Sequence, residues 1–274
     1  MDLRPAWSSA FEAQTLARFS SFPLESPITK EWAWGNATGA GVRVAVIDSG
    51  IDADHPQVGR VAGGAVIEFD PDAESGASIL EGPHEDLFGH GTACAGLIRK
   101  AAPDADIYSV RVLGARLTGK GVVFAAGLRW AVDNGMHVVN LSLSTGKRDY
   151  YSLFHEIVDR AYFRHMMLVC AVNNVPAPSY PSLYSSVFSV AAHDGNDAFR
   201  FDYNPSPPVE FGAPGIGIEV AWLDKATLEA TGNSFAAPHI AGLVARVLSK
   251  HPGLTPFQMK TILHAVADNA MADG

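Results

Sequence analysis

Three short blocks hold residue types that could do chemistry together. "VIDSGID" ends a hydrophobic run with Asp48, "DLFGHGTACAG" sets His90 between two glycines, and "GNSFAAPHIAG" puts Ser234 among small side chains. Carboxylate, imidazole and hydroxyl are the groups nucleophilic acyl transfer uses. A serine hydroxyl is inert until a base takes its proton, neutral histidine can do so near pH 7, and a buried carboxylate fixes the imidazole tautomer. With ten histidines in the chain, a bare triplet means little. The order, each residue inside its own distinctive block, carries the weight. Gly232, Ala236 and Ala237 leave room for a helix end and a substrate backbone to close on Ser234. His55, His193 and His239 read instead as structural.

Such groups need a scaffold, and the pattern along the chain supplies one. Residues 42–48, 105–113, 137–143, 166–172 and 187–192 are apolar or β-branched runs of strand length without strict alternation, as in parallel strands buried on both faces. Helical segments separate them at 91–102, 121–135 (with Gly135 as the stop) and 152–165. A long helix carries Ile240, Leu243, Val244, Val247 and Leu248 at helical spacing, and a last one at 256–268 follows the cap pair Thr255–Pro256. This alternation predicts one three-layer α/β domain over residues 31–270, a mainly parallel central sheet with helices on both faces, preceded by an arm at 1–30. Pro/Gly-rich pieces at 71–83, 174–181 and 204–217 read as surface loops. Asp48, Ser142 and Asn173 all fall at carboxyl ends of strands, where ligands sit in open α/β sheets.

The chain has 274 residues, 47% hydrophobic and 18% charged, enough for a real core. A formal charge of −9 argues against nucleic acid or an anionic membrane as partner. No apolar run approaches the roughly 20 residues that span a bilayer. The first residues, with an acid at position 2 and no continuous apolar stretch, do not read as a secretory signal. Cys94 and Cys170 are too few for a disulfide framework and fit a reducing compartment. The expectation is a cytoplasmic protein, with secretion by another route as the alternative.

Taken with "VRVAVIDSGIDADHP", "VAGGA", "APDADIYSVRVLGARLTGKG", "GLRWAVDNGMHVVNLSLS", "YPSLYSSVFSVAA" and "FGAPG", the three blocks make residues 28–268 resemble the subtilases, serine endopeptidases of the subtilisin fold. The resemblance implies Asp48 orienting the base, His90 as base and then acid, and Ser234 as nucleophile. The family's oxyanion asparagine lies in an Ala-Gly-Asn block. The matching text is "AVNN", which points to Asn173, with Asn174 as the alternative, acting beside the Ser234 backbone N–H. The implied cleft runs between Ser142, Leu143 and Ser144 on one side and Cys170, Ala171, Val172 and Asn173 on the other, with Ser179 near the pocket floor. No carboxylate stands at that floor, which argues against a preference for Lys or Arg. Departures from common subtilase text are Asn233 for threonine, Phe235 for methionine, and Val172 for glycine.

The function implied is hydrolysis of a protein or peptide substrate through an acyl-enzyme, without cofactor. The alternatives are a subtilase that processes or transpeptidates one precursor peptide, and an inactive binding protein of the same fold. Oligomeric state is not legible. The calcium cage of many subtilases takes a carboxylate from an "HPD" step and oxygens from a loop interrupting the histidine helix. Here the first reads "HPQ", with Gln57, and no such loop intervenes before the next strand. Calcium needs six to eight oxygens with net negative charge, so no metal is expected. The melting temperature in excess EGTA should then stay within about ten degrees of that in millimolar calcium; a larger drop, reversed by calcium, would reveal a site.

Overall fold

The computed structural model describes residues 27–82 and 84–270; of the expected arm, residues 1–26 lie outside the described residues. A nine-stranded sheet organises the rest. Its strands are β1 (Arg43–Asp48), β2 (Gly63–Phe69), β3 (Ala77–Glu81), β4 (Asp106–Arg111), β5 (Val138–Leu141), β6 (Met167–Ala171), β7 (Phe188–Asp194), β8 (Asp202–Tyr203) and β9 (Phe211–Ile216). They run in the order β3-β2-β4-β1-β5-β6-β7-β9-β8. All neighbours are parallel except the edge pairs β2·β3 and β8·β9. A separate hairpin pairs β10 (Ile218–Ala221) with β11 (Thr227–Ala230).

The apolar runs behave as strands buried on both faces. Along β1, Val44 and Val46 enter one core while Ala45 and Ile47 enter the other. Strand side chains point alternately to opposite faces, so a continuous apolar run can serve two helix layers at once. After a short α1 (Lys30–Ala33), one layer holds α2 (His90–Ala101), α5 (Asn233–Lys250) and α6 (Pro256–Val266). The other holds α3 (Gly121–Asp133) and α4 (Tyr151–Phe163). Gly135 has φ +62 just past α3, and Thr255 caps α6 through a reciprocal capping box with Gln258, as the sequence predicts.

Two of the expected surface loops are corrected. Segment 71–83 contains β3, and 204–217 contains β9, a strand with buried Phe211, Ala213, Pro214 and Gly215. β8 pairs only with Phe211 and Gly212, so Pro214 stands past the end of that ladder, where a missing N–H leaves nothing unpaired. Turn-like composition hid a strand whose small residues let α5 lie close. Segment 174–181 remains a loop, with one bridge between Tyr180 and Thr145.

A close helix contact joins the two helices that begin at His90 and near Ser234. A Cβ on Gly242 of α5 would stand 2.6 Å from Ala101 Cβ and 3.2 Å from Ile98 O of α2. Neither atom is the far end of a flexible side chain, so the helices would have to separate. Gly242→Ala should therefore destabilise by about 1–3 kcal/mol. Chemical denaturation checks this; an unchanged midpoint would contradict it.

Candidate active site

The site is assembled at the carboxyl edge of the sheet, beside its central strand. Asp48 ends β1 and has no exposure to solvent. His90 opens α2, and its Nδ1 lies 2.9 Å from both Asp48 carboxylate oxygens. Nδ1–H therefore donates to the carboxylate, which leaves Nε2 as the acceptor in the neutral ring. Asp48 Oδ1 also accepts from Ser49 N–H at 2.8 Å. Gly91 makes the approach possible: a Cβ there would lie 2.0 Å from Gly50 O and 3.2 Å from Asp48 Cβ.

Asp86, which the sequence reading passed over, holds the turn into α2. Its carboxylate is buried and accepts from Ser49 Oγ, Phe88 N, Gly89 N, Thr92 N and Thr92 Oγ1, all at 2.6–2.9 Å. An anion among free N–H groups at a helix start matches the dipole. An acid four residues ahead of the histidine was the available signal.

Ser234 is the second residue of α5, so its N–H has no acceptor within the helix. Asn233 clamps that helix start to the sheet. Its Nδ2 donates to Val172 O (3.2 Å) and Asn173 O (3.0 Å), and its Oδ1 accepts from Ala192 N–H (2.8 Å). Ser142 Oγ donates to Ser234 O at 2.7 Å. Cys94, one turn along α2 from His90, places its Sγ 4.0 Å from His90 Nδ1 and 3.6 Å from Ser234 O, touching both halves of the site.

The two asparagines of "AVNN" point to different places. Asn173 Oδ1 accepts from Val175 N–H at 3.2 Å, within its own loop. Asn174 Oδ1 accepts from Asn233 N–H at 2.9 Å, which orients the amide and leaves Nδ2 free to donate elsewhere. A Cβ on Gly232 would be 3.3 Å from Ser234 Oγ and 3.7 Å from Asn174 Nδ2, so both atoms flank one small space.

The expected cleft residues separate into two groups. Ser142, Leu143 and Ser144 line a groove of about 610 Å³ with Leu113, Phe124 and Tyr150. Cys170 and Ala171 are buried in opposite cores, because adjacent strand residues face opposite layers. Val172, half-buried, uses its N–H on Val190 O and its carbonyl on Asn233. Ser179 is buried, its hydroxyl paired with that of Ser182. None of these four lines that groove. His55 is structural, with ring nitrogens meeting Ala226 O and Gln57 N–H. Asp48, His90 and Cys94 form the one trio among the described residues whose donor atoms could gather on a metal ion. The Asp48–His90 hydrogen bond already occupies that space.

A mainly parallel α/β sandwich that brings an acid, a histidine and a serine, in that chain order, to the ends of its strands defines a subtilisin-like protein. The subtilase family profile matches residues 39–274, and the chain belongs to that family. It is 35% identical over 241 residues to a thermostable alkaline protease of Halalkalibacterium halodurans, covering 84% of this chain and 63% of the relative. It thus spans less than two thirds of that relative's length. Against Subtilisin Savinase of Lederbergia lenta the identity is 33%, covering 84% of each. A solved structure of a cold adapted subtilisin-like serine proteinase superposes with TM-score 0.69 at 27% identity, covering 85% of this chain and 86% of that one.

Burial alone would depress the His90 pKa. The Asp48 charge, with Cys94 and the hydrogen bonds to both, more than offsets it and holds the imidazole well above 6.5. An imidazole can take a proton only when neutral, so activity that uses His90 as a base should rise with pH through this raised pKa. An acid limb of kcat/KM centred above pH 6.5 is expected. Asp48→Asn leaves the burial and removes the charge, so the His90 pKa read by NMR titration should fall. A His90 pKa unmoved by that change would refute the assignment.

Proposed function

We propose that this subtilase is a serine endopeptidase that hydrolyses peptide bonds through an acyl-enzyme. The observation that carries the reading is the bond from His90 Nδ1 to both oxygens of a fully buried Asp48. It leaves Nε2 ready to accept a proton, and Cys94 Sγ, within 4.0 Å of His90 Nδ1 and 3.6 Å of Ser234 O, joins the two halves of the site.

Ser234 Oγ attacks the substrate carbonyl while His90 Nε2 takes its proton. Asp48 stabilises the imidazolium that forms. The developing oxyanion is held by the Ser234 N–H and by Asn174 Nδ2, rather than by Asn173, whose side chain is engaged in its own loop. Imidazolium then protonates the leaving amine, and water attacks the acyl-enzyme with His90 again as base. Ser142, by binding Ser234 O, positions the nucleophile's backbone. The acyl side of a peptide lies along the groove of Leu113, Phe124 and Leu143, whose apolar walls suit aliphatic or aromatic side chains.

No helix among the described residues is long and apolar enough to cross a membrane. Both cysteines are buried free thiols, which supports a reducing, cytoplasmic setting.

A fluorophosphonate probe should label the protein at Ser234, since only an activated serine reacts; an inactive binding protein would stay unlabelled. Ser234→Ala should leave less than about a thousandth of turnover with an unchanged circular dichroism spectrum. Asn174→Ala should cost about 10²–10³ in kcat, and Asn173→Ala much less. The reverse ranking would return the oxyanion role to Asn173.

A further inference from the structure

The carbonyl of Ser234 lacks the partner that an α-helix normally gives it. In α5 that partner would be the N–H of residue 238, four positions on, and residue 238 is a buried proline. Proline has no N–H, and its ring crowds the carbonyl four residues back. Ser234 O is met instead from the sheet, by Ser142 Oγ at 2.7 Å. A carbonyl can only accept, so the single Ser142 hydroxyl proton points to it.

That direction dictates what can stand behind Ser142. Its oxygen is left only to accept, and Asn140 Nδ2 lies 3.0 Å away. Asn140 is fully buried in β5. Val138 enters one core, Val139 and Leu141 the other, so alternation puts Asn140 on the Val138 face, beneath α5. Its neighbours in register are Val46 of β1 and Val169 of β6, both in that same core. A valine would suit this row, yet the chain carries an amide there. The amide is only half used, because its Oδ1 is buried and accepts no hydrogen bond among the described residues. Buried polar groups are almost always paired, and an unpaired one costs stability. Packing therefore does not account for the residue, whereas the N–H aimed at Ser142 does.

We propose that Asn140 is a positioning residue for Ser234: through Ser142 it secures, from the sheet, the hydrogen bond that Pro238 withholds from Ser234 O. The proposal rests on the reading of Ser234 as nucleophile. Asn140 is buried behind Ser142 and does not meet the substrate. Its N–H holds the Ser142 hydroxyl in the orientation that donates to Ser234 O, and so fixes the backbone that carries the Ser234 side chain. Without it the hydroxyl can turn. Ser234 then loses the tie on its carboxyl side, while Asn233 keeps the one on its amino side.

Labelling by a fluorophosphonate measures the reactivity of Ser234 whatever the natural substrate, and saturation separates the rate constant from probe affinity. Asn140→Val completes the row of valines. It should lower the labelling rate constant about 10- to 100-fold, as small misplacements of a reacting group do. Probe affinity should not change, and the melting temperature should be no lower than the parent's. Asn140→Ala leaves space instead of filling it and should lose stability, yet its labelling rate should fall by the same factor. Adding Asn140→Val to Ser142→Ala should lower the rate no further than Ser142→Ala alone, since Asn140 acts through Ser142. Parental labelling rates in the two Asn140 variants would overturn the proposal. So would losses that track the melting temperatures, or that multiply with the loss from Ser142→Ala. A parent that the probe leaves unlabelled would instead end the reading of Ser234 as nucleophile, and this proposal with it.

Discussion

Asp48 is a carboxylate with no contact with water, and everything around it follows from that burial. Desolvating such a charge costs several kcal/mol unless hydrogen bonds and a counter-group replace the lost water. Here both oxygens meet His90 Nδ1, and one also accepts from Ser49 N–H. Those partners exist only if the end of β1 and the start of α2 keep a fixed distance and angle. Gly91 permits the approach, and Asp86 holds the turn through Ser49, Gly89 and Thr92. The same pairing that makes burial tolerable also orients the imidazole, so the structural and the chemical constraint are one.

The Ser234 side of the site is fixed by different means, with neutral amides and hydroxyls in place of charge. Asn233 ties the start of α5 to the loop after β6 and to β7, while Ser142 ties it to the end of β5. Three strand ends therefore set where Ser234 stands. Cys94 lies between the two halves, in contact range of His90 and of Ser234 O, and burial pushes its thiol pKa up. It behaves as a small space-filling side chain at the join. Packing of α2 on α5, close enough to exclude a methyl group at Gly242, carries any shift of one half to the other.

Polar groups on these two helices thus have opposite fates. Near their N-termini the buried carboxylates of Asp48 and Asp86 and the amide of Asn233 are matched by partners. About one and a half turns after Ser234, the buried ring of His239 has no hydrogen-bond partner among the described residues.

Much of the protein was legible in the chain itself. Apolar runs without alternation announced buried parallel strands, and helix caps such as Thr255 and Gly135 stood where propensity puts them, because these are local effects of backbone geometry and burial. Asp48, His90 and Ser234 could be singled out because each lies in a block whose neighbours serve the same purpose. What the chain could not reveal depended on distant partners. Glycine and proline made β9 look like a loop, since only β7 beside it and α5 above it turn "FGAPG" into a strand. Asn173 and Asn174 are indistinguishable by type and adjacent in sequence; the N–H of Asn233, far along the chain, orients Asn174, while Asn173 turns back on Val175. Asp86 gained its role from a helix end that the fold brings round it. Local order is encoded by neighbours in sequence, whereas the direction of a side chain is decided by whichever partners the fold brings within hydrogen-bond reach.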